Sequence, residues 1–149
     1  MLRSRDVFRK LDKLPVTVSI VAVLCASCTR DPHVLAQRYL DRGKRYLSDG
    51  KTAEAVIELR NAAQRDPGFG LARERLGDAL RQSGDLAGAL RQYVLAGDLL
   101  PQDARLQVKD GKFILLGGRF DDAKARAEKV LTADPNNVDA QIVVANALG

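Results

Sequence analysis

Residues 43–55 read Gly43-Lys-Arg-Tyr-Leu-Ser-Asp-Gly50-Lys-Thr-Ala-Glu-Ala55, and 34 residues on the frame returns as Gly77-Asp-Ala-Leu-Arg-Gln-Ser-Gly84-Asp-Leu-Ala-Gly-Ala89. It returns again as Gly111-Lys-Phe-Ile-Leu-Leu-Gly-Gly118-Arg-Phe-Asp-Asp-Ala123. Pro67, Pro101 and Pro135 keep a fourth register at the same spacing, and Ala145 continues the Gly43 series. Four small-residue registers agreeing on one interval mark an internal repeat, and a unit of this length buries its apolar face only against its neighbours.

Outward from these positions each unit reads as two helices. From Ala36 to Ser48, Tyr39, Leu40, Gly43, Tyr46 and Leu47 follow the i, i+3, i+4, i+7 rule, and Gly50 supplies the left-handed conformation that closes a helix. The second helix, about Thr52 to Gln64, turns Ala55, Val56, Leu59, Ala62 and Ala63 inward, and Asp66-Pro67 stops it because proline lacks the N–H of the next turn. Later units follow suit: Leu71 to Gln82 with Leu86 to Gly97, then Arg105 to Leu116 with Phe120 to Ala133. Glycine inside a helix is unfavourable by about 1 kcal/mol, so its return at Gly43, Gly77 and Gly111 argues for a close helix crossing, supplied in the first unit by Gly43 with Ala55 and Ala62. A bulky side chain at Ala55, Ala89 or Ala123 should cost about 1–3 kcal/mol through overpacking.

A repeat of 34 with a small residue at the eighth position, Ala at the twentieth and Pro at the thirty-second resembles the tetratricopeptide family. The resemblance covers Ala36 to Gly149 as units 36–69, 70–103 and 104–137, with 138–149 as the first helix of a fourth. Arg42 stands where the seventh place usually has Leu, Arg73 and Gln107 lack the bulky fourth residue, and Val130 replaces Ala at the twenty-seventh. The resemblance implies an all-α superhelix, right-handed, with a concave groove lined by first helices and a non-catalytic role in binding proteins or peptides. By register the groove positions are Leu40, Lys44 and Leu47, then Arg75, Asp78 and Arg81, then Arg105, Val108, Lys109 and Lys112. The basic third unit suits an acidic or C-terminal carboxylate ligand. Arg105 and Lys109 could form the basic pair of a chaperone-type carboxylate clamp, although Leu40 and Asp78 stand where its Lys and Asn would be. Each of these charges also reads as solvated surface, and Leu40, Leu47 and Val108 as inter-repeat core. At the far end Ile142, Val143, Val144, Ala147 and Leu148 would stay partly uncovered, as in a piece of a longer array or an end that a partner covers.

The start of the chain is of another character. Arg3, Arg5, Arg9, Lys10 and Lys13 against Asp6 and Asp12 give +3 of the net +5, and from Cys28 onward 19 basic residues face 17 acidic ones. An uncharged run from Leu14 to Ser27 follows, then polarity returns at Cys28-Thr-Arg-Asp-Pro32. Basic, apolar, small is the order of a secretory signal peptide. The run would span roughly 21 Å as a helix, short of a bilayer core of about 30 Å, so a permanent span is the weaker reading. Ala26-Ser27-Cys28 resembles the last three positions of a bacterial lipobox, with Cys25 where an aliphatic residue is usual. Residues 1–27 are thus expected as a lipoprotein-type leader, Cys28 as the lipidated residue and 28–35 as a linker. By resemblance to Gram-negative lipoproteins, Thr29 rather than Asp after the cysteine implies the periplasmic face of the outer membrane. The rival reading of Cys25 and Cys28 as a redox or metal C-x-x-C lacks a strand-helix turn or a second pair.

With 5% aromatics, no Trp, one His and two Cys, the sequence excludes most metal and nucleophile chemistry, and neither metal, cofactor nor small-molecule substrate is expected. The leading expectation is a scaffold anchored by lipid in a bacterial cell envelope. Tyr46 to Pro67 resembles the start of repeat lipoproteins that accompany exopolysaccharide and exosortase systems. The alternatives are an envelope-assembly or pilus-secretin accessory lipoprotein and, in another class, a helical-repeat RNA binder. The near-balanced charge after Cys28 and the leader weigh against nucleic acid, and catalysis would have to rest on carboxylates.

Overall fold

The structure, a computed structural model, describes residues 31–149, so the expected leader, Cys28 and Thr29 lie outside the described residues. Among these residues there are seven helices and no strand: α1 (Pro32–Ser48), α2 (Thr52–Arg65), α3 (Gly70–Gln82), α4 (Leu86–Leu99), α5 (Ala104–Leu116), α6 (Phe120–Ala133) and α7 (Val138–Ala147). Pro32 to Leu35, expected in a linker, open α1 instead. Asp31 accepts the His33 amide at 2.9 Å and Pro32 sits in the first turn, where its missing N–H removes no helical bond.

The same two turns alternate along the chain. Gly50, Gly84 and Gly118 have φ of 73°, 88° and 73°, the left-handed region that only glycine enters freely. This folds the next amide back onto the closing helix, with Lys51 N to Tyr46 O at 2.8 Å, Asp85 N to Leu80 O at 2.9 Å and Arg119 N to Ile114 O at 3.1 Å. At the other end of each hairpin the Pro67, Pro101 and Pro135 turns close through Phe69, Asp103 and Asn137 amides bonded to the carbonyls of Asp66, Leu100 and Asp134. Asp85, Asp103 and Asn137 then cap α4, α5 and α7 through their side chains.

Each helix packs on the next, α1 approaches α3 and α5 approaches α7, whereas no two second helices come within 8 Å of each other between Cα atoms. First helices therefore lie on the inner side of the curve. Ala55, Ala89 and Ala123 are fully buried, at the crossing where side-chain bulk is least tolerated. Gly43 and Gly77 are pressed by the large residues of their partner helices rather than by the alanines. A Cβ on Gly43 would lie 2.5 Å from Leu59 Cγ, and one on Gly77 2.8 Å from Tyr93 Cε1. Gly111 differs: its near neighbour is Val143 of α7, at 3.2 Å.

The core falls into two clusters. One runs from Leu40 through Leu59 and Leu76 to Tyr93, and the other from Val108 and Ile114 through Ala127 to Val143. The packing residues Arg73 and Gln107, which stand where a bulky residue is usual, instead bond to the preceding chain: Arg73 Nε to Pro67 O at 3.0 Å, and Gln107 Nε2 to Gly97 O at 2.7 Å and Leu100 O at 3.2 Å. Arg42, in the register of a buried Leu, lies partly exposed over the Tyr39 ring and bonds Glu58 at 2.8 Å.

Candidate partner-binding groove

A buried carboxylate on α3 gathers several of the residues expected in the groove. Glu74 on α3 has no exposed surface, because it faces across the inner side toward α5. Arg105 grips it with both terminal nitrogens, Nη1 to Oε1 at 2.6 Å and Nη2 to Oε2 at 3.1 Å, and Lys109 adds Nζ to Oε1 at 3.1 Å. Lys109 also reaches Asp78 Oδ1 at 2.5 Å, the same oxygen that accepts the Tyr93 hydroxyl at 2.8 Å, while Arg75 bonds the other oxygen at 3.1 Å. The Lys109 ammonium lies 4.8 Å from the centre of the Tyr93 ring.

The electrostatics follow from this crowding. Burial opposes ionisation of Glu74, but the hydrogen bonds and charges of Arg105 and Lys109 outweigh it and hold the carboxyl at about 2. Burial and then the Asp78 carboxylate push the Tyr93 phenol up. The bond to Glu74 raises Arg105 further. The clamp cations therefore already hold an internal carboxylate. An incoming C-terminal carboxylate would have to displace Glu74 or share its partners.

Beyond this network Ala104, Arg105, Val108, Lys109, Lys112, Phe113, Asn137 and Asp139 line a concavity of about 420 Å³. Val108 and Phe113 give it an apolar floor, and Lys112, bonded to Asp139 at 2.8 Å, forms part of its rim. Of the expected groove residues, Arg105, Lys109 and Lys112 come together here. Arg75 and Asp78 belong to the adjoining Glu74 network. Lys44 and Arg81 are exposed on α1 and α3, outside the lining of this concavity. Leu40 is fully buried and Val108 nearly so, which makes them core as much as groove.

The sequence reading missed Glu74, although a signal for it exists. Its place in the repeat is held by Leu40 in the first unit and Val108 in the third, so a lone charge stands in an apolar register. Asp110 is the second omission, buried in the register of Arg42 and Leu76. Among the described residues no group of three or more His, Cys, Asp or Glu could hold a metal, and no helix is long and apolar enough to cross a membrane.

Helical hairpins stacked with their first helices inward, closed alternately by glycine and proline turns, define an all-α solenoid of the tetratricopeptide type. In keeping with this, the family model described as tetratricopeptide repeat matches residues 40–104. Among solved structures the chain is similar to the second such domain of human RPAP3 in complex with the HSP70 peptide SGPTIEEVD, at 21% identity and TM-score 0.66, covering 79% of this chain and 98% of that one. It is similar to a tetratricopeptide repeat protein from Parabacteroides merdae, at 18% identity and TM-score 0.67, covering 75% and 44% of the two chains. The Yersinia enterocolitica type III secretion chaperone SycD with a peptide of the translocator YopD is a third, at 12% identity and TM-score 0.61, covering 75% and 91%. No curated protein matches the chain in sequence.

Proposed function

We propose that this protein is a non-catalytic scaffold that holds an extended segment of a partner protein along its first-helix face, tethered by an acylated Cys28 in a bacterial cell envelope. The observation that carries the binding reading is the 420 Å³ concavity, whose apolar floor of Val108 and Phe113 is ringed by Arg105, Lys109, Lys112, Asn137 and Asp139. Such a site takes an apolar anchor side chain and offers polar atoms to the backbone on either side. Peptides seated on the RPAP3 and SycD domains support the same use of this fold. Because Glu74 engages Arg105 and Lys109, the favoured ligand is an internal apolar-anchored segment and not a free carboxylate terminus.

The anchor rests on Ala26-Ser27-Cys28 behind a basic and then apolar leader, and Thr29 favours the periplasmic face of the outer membrane. One acyl chain gives only reversible attachment, so stable tethering requires more than one on Cys28. The resemblance of Tyr46 to Pro67 to lipoproteins of exosortase-linked export supports a partner in that machinery. A photo-crosslinking residue at Lys112 should capture a partner in intact envelopes, and one at Lys129, on the second-helix side, should not; the reverse pattern refutes the groove. Mass spectrometry of the mature N-terminus reads the anchor separately. An acylated cysteine is expected, and an intact Met1 refutes it.

A further inference from the structure

The joint between the second and third repeats is built unlike the others. α1 and α3 come within 8 Å between Cα atoms, as do α5 and α7, whereas α3 and α5 nowhere do. Long side chains span that gap on the inner side: Arg105 and Lys109 reaching to Glu74 and Asp78. The apolar core also breaks here into its two clusters, bridged by Phe113 stacked on Tyr93 at 4.4 Å and by Leu90 and Val94 of α4 packed against the second cluster. On the outer side the joint closes over Asp110. This carboxylate has no exposed surface, and neither oxygen receives a hydrogen bond. Its one close cation, Arg126 Nη1 at 2.9 Å from Oδ2, belongs to a guanidinium that also bonds Asp98 at 2.6 Å and Gln107 at 3.2 Å.

The α4 backbone lies flat against this group. A Cβ on Gly97 would sit 2.6 Å from Asp110 Oδ2 and 2.7 Å from Arg126 Nη1, so only a glycine lets the α4 backbone close this tightly over the pair. A sealed carboxylate whose one close cation is shared with Asp98 and Gln107 is under-compensated when charged, and two changes relieve it: a proton, or separation of α4 from α5 so that water enters. We infer that the joint between the second and third repeats is a proton-gated hinge, shut while Asp110 is neutral and opening on its outer side when Asp110 ionises.

The charges around it allow this. Asp98 faces it from α4, and Arg126 from α6. Arg119 at the head of α6 is itself paired with Asp122 at 2.8 Å. α7 meets α5 through Val143, and its one ionisable group, Asp139, is held by Lys112. Burial pushes Asp110 up to about 6, with Arg126 and Arg119 opposing and Asp98 adding to the rise. Since the folded value exceeds the ordinary 3.8, closure is firmest below about pH 4 and is lost as pH rises through about 6. Glu74, held at about 2, stays ionised over that range and latches the inner side, so the motion is a hinge and not a dissociation. The inference is independent of what occupies the groove.

Hydrogen exchange of the full chain at pH 4.5 and 7.5, corrected for intrinsic rates, tests it. Opening at the end of α4 and the start of α5 should increase about tenfold or more, the size set by the displaced titration, while α1 and α2 stay flat. Asp110→Asn should remove the pH dependence and remain closed at both values. An equal response in all helices, no response, or an unchanged response in Asp110→Asn overturns the hinge. Carbon-13 titration of the Asp110 carboxyl in the unmodified protein needs no variant to fold: a midpoint near 6 supports the proposal, and one near 4 overturns it.

Discussion

Replacing Glu74 by Gln keeps the size of the side chain and one accepting oxygen but removes the charge that Arg105 and Lys109 share. At about 1.36 kcal/mol per pH unit, a carboxyl held at about 2 instead of its ordinary 4.5 contributes about 3 kcal/mol to folding at neutral pH. The contribution is complete above pH 4.5 and vanishes as pH falls through about 2, because the group is depressed in the folded state. Breaking a buried ion pair by removing one member typically costs about 3–5 kcal/mol. Here the stranded cations keep other partners, Arg105 with Asp103 at 3.3 Å and Lys109 with Asp78, so the lower end applies. Urea denaturation at pH 7 should show Glu74→Gln less stable by about 2–3 kcal/mol, a midpoint lower by about 1–2 M at ordinary slopes. The difference should shrink to near zero at pH 2. A loss below about 0.5 kcal/mol, or one of equal size at pH 2 and pH 7, would refute the claim that the ionised carboxylate holds the joint.

Gly43→Ala should destabilise by about 1–2 kcal/mol in thermal or urea unfolding, overpacking against Leu59 outweighing the gain in helix propensity. Gly84→Ala meets open space but forces a side chain into φ of 88°, and should cost about 1 kcal/mol, recovered by Asn more than by Val in the same assay. Tyr93→Phe leaves the stack on Phe113 intact and removes the bond to Asp78, so unfolding measurements should register a loss of about 1 kcal/mol with unchanged Phe113 chemical shifts.

The backbone plan was legible because it is written in residues whose conformational limits act locally. Glycines with positive φ and prolines after Asp or Leu mark turns whatever surrounds them, and the apolar spacing between them fixes two faces. α6 follows its expected bounds, Phe120 to Ala133, since Pro135 ends its run. The extra turn of α1 was hidden because Asp31-Pro32 reads as a helix stop as well as a start. The groove was legible only as register. Spacing places Arg105, Lys109 and Lys112 on one side of α5, but whether each cation is free or taken depends on a carboxylate one repeat away, and such pairing is set by tertiary approach. A comparison of registers within the chain does carry some of it. Arg42 bonds Glu58 in the first repeat, and Asp110 faces Arg126 at the same two positions in the third, with the charges exchanged and Leu76 and Gln92 in the second.

That exchange changes the environment of the two groups more than their spacing, 2.8 Å in the first repeat and 2.9 Å in the third. In the first repeat the Arg occupies the inner position and snorkels over Tyr39, so its head stays partly in water. In the third, the short Asp side chain cannot reach out, and the partner Arg comes to it from α6. Gln107 then completes the joint by bonding the Gly97 and Leu100 carbonyls that α4 leaves at its end. It follows that restoring the bulky residue usual at this place should not stabilise the protein. Gln107→Leu supplies a similar volume of apolar surface yet strands the Gly97 carbonyl, leaves the Leu100 carbonyl to the Asp103 amide alone and removes one of the Arg126 bonds, so a loss of about 1–3 kcal/mol is expected in urea unfolding. The loss should be accompanied by faster hydrogen exchange at the end of α4. A variant as stable as the parent, or more so, would mean that the polar joint is incidental and that apolar packing sets the strength of this interface as it does elsewhere in the array.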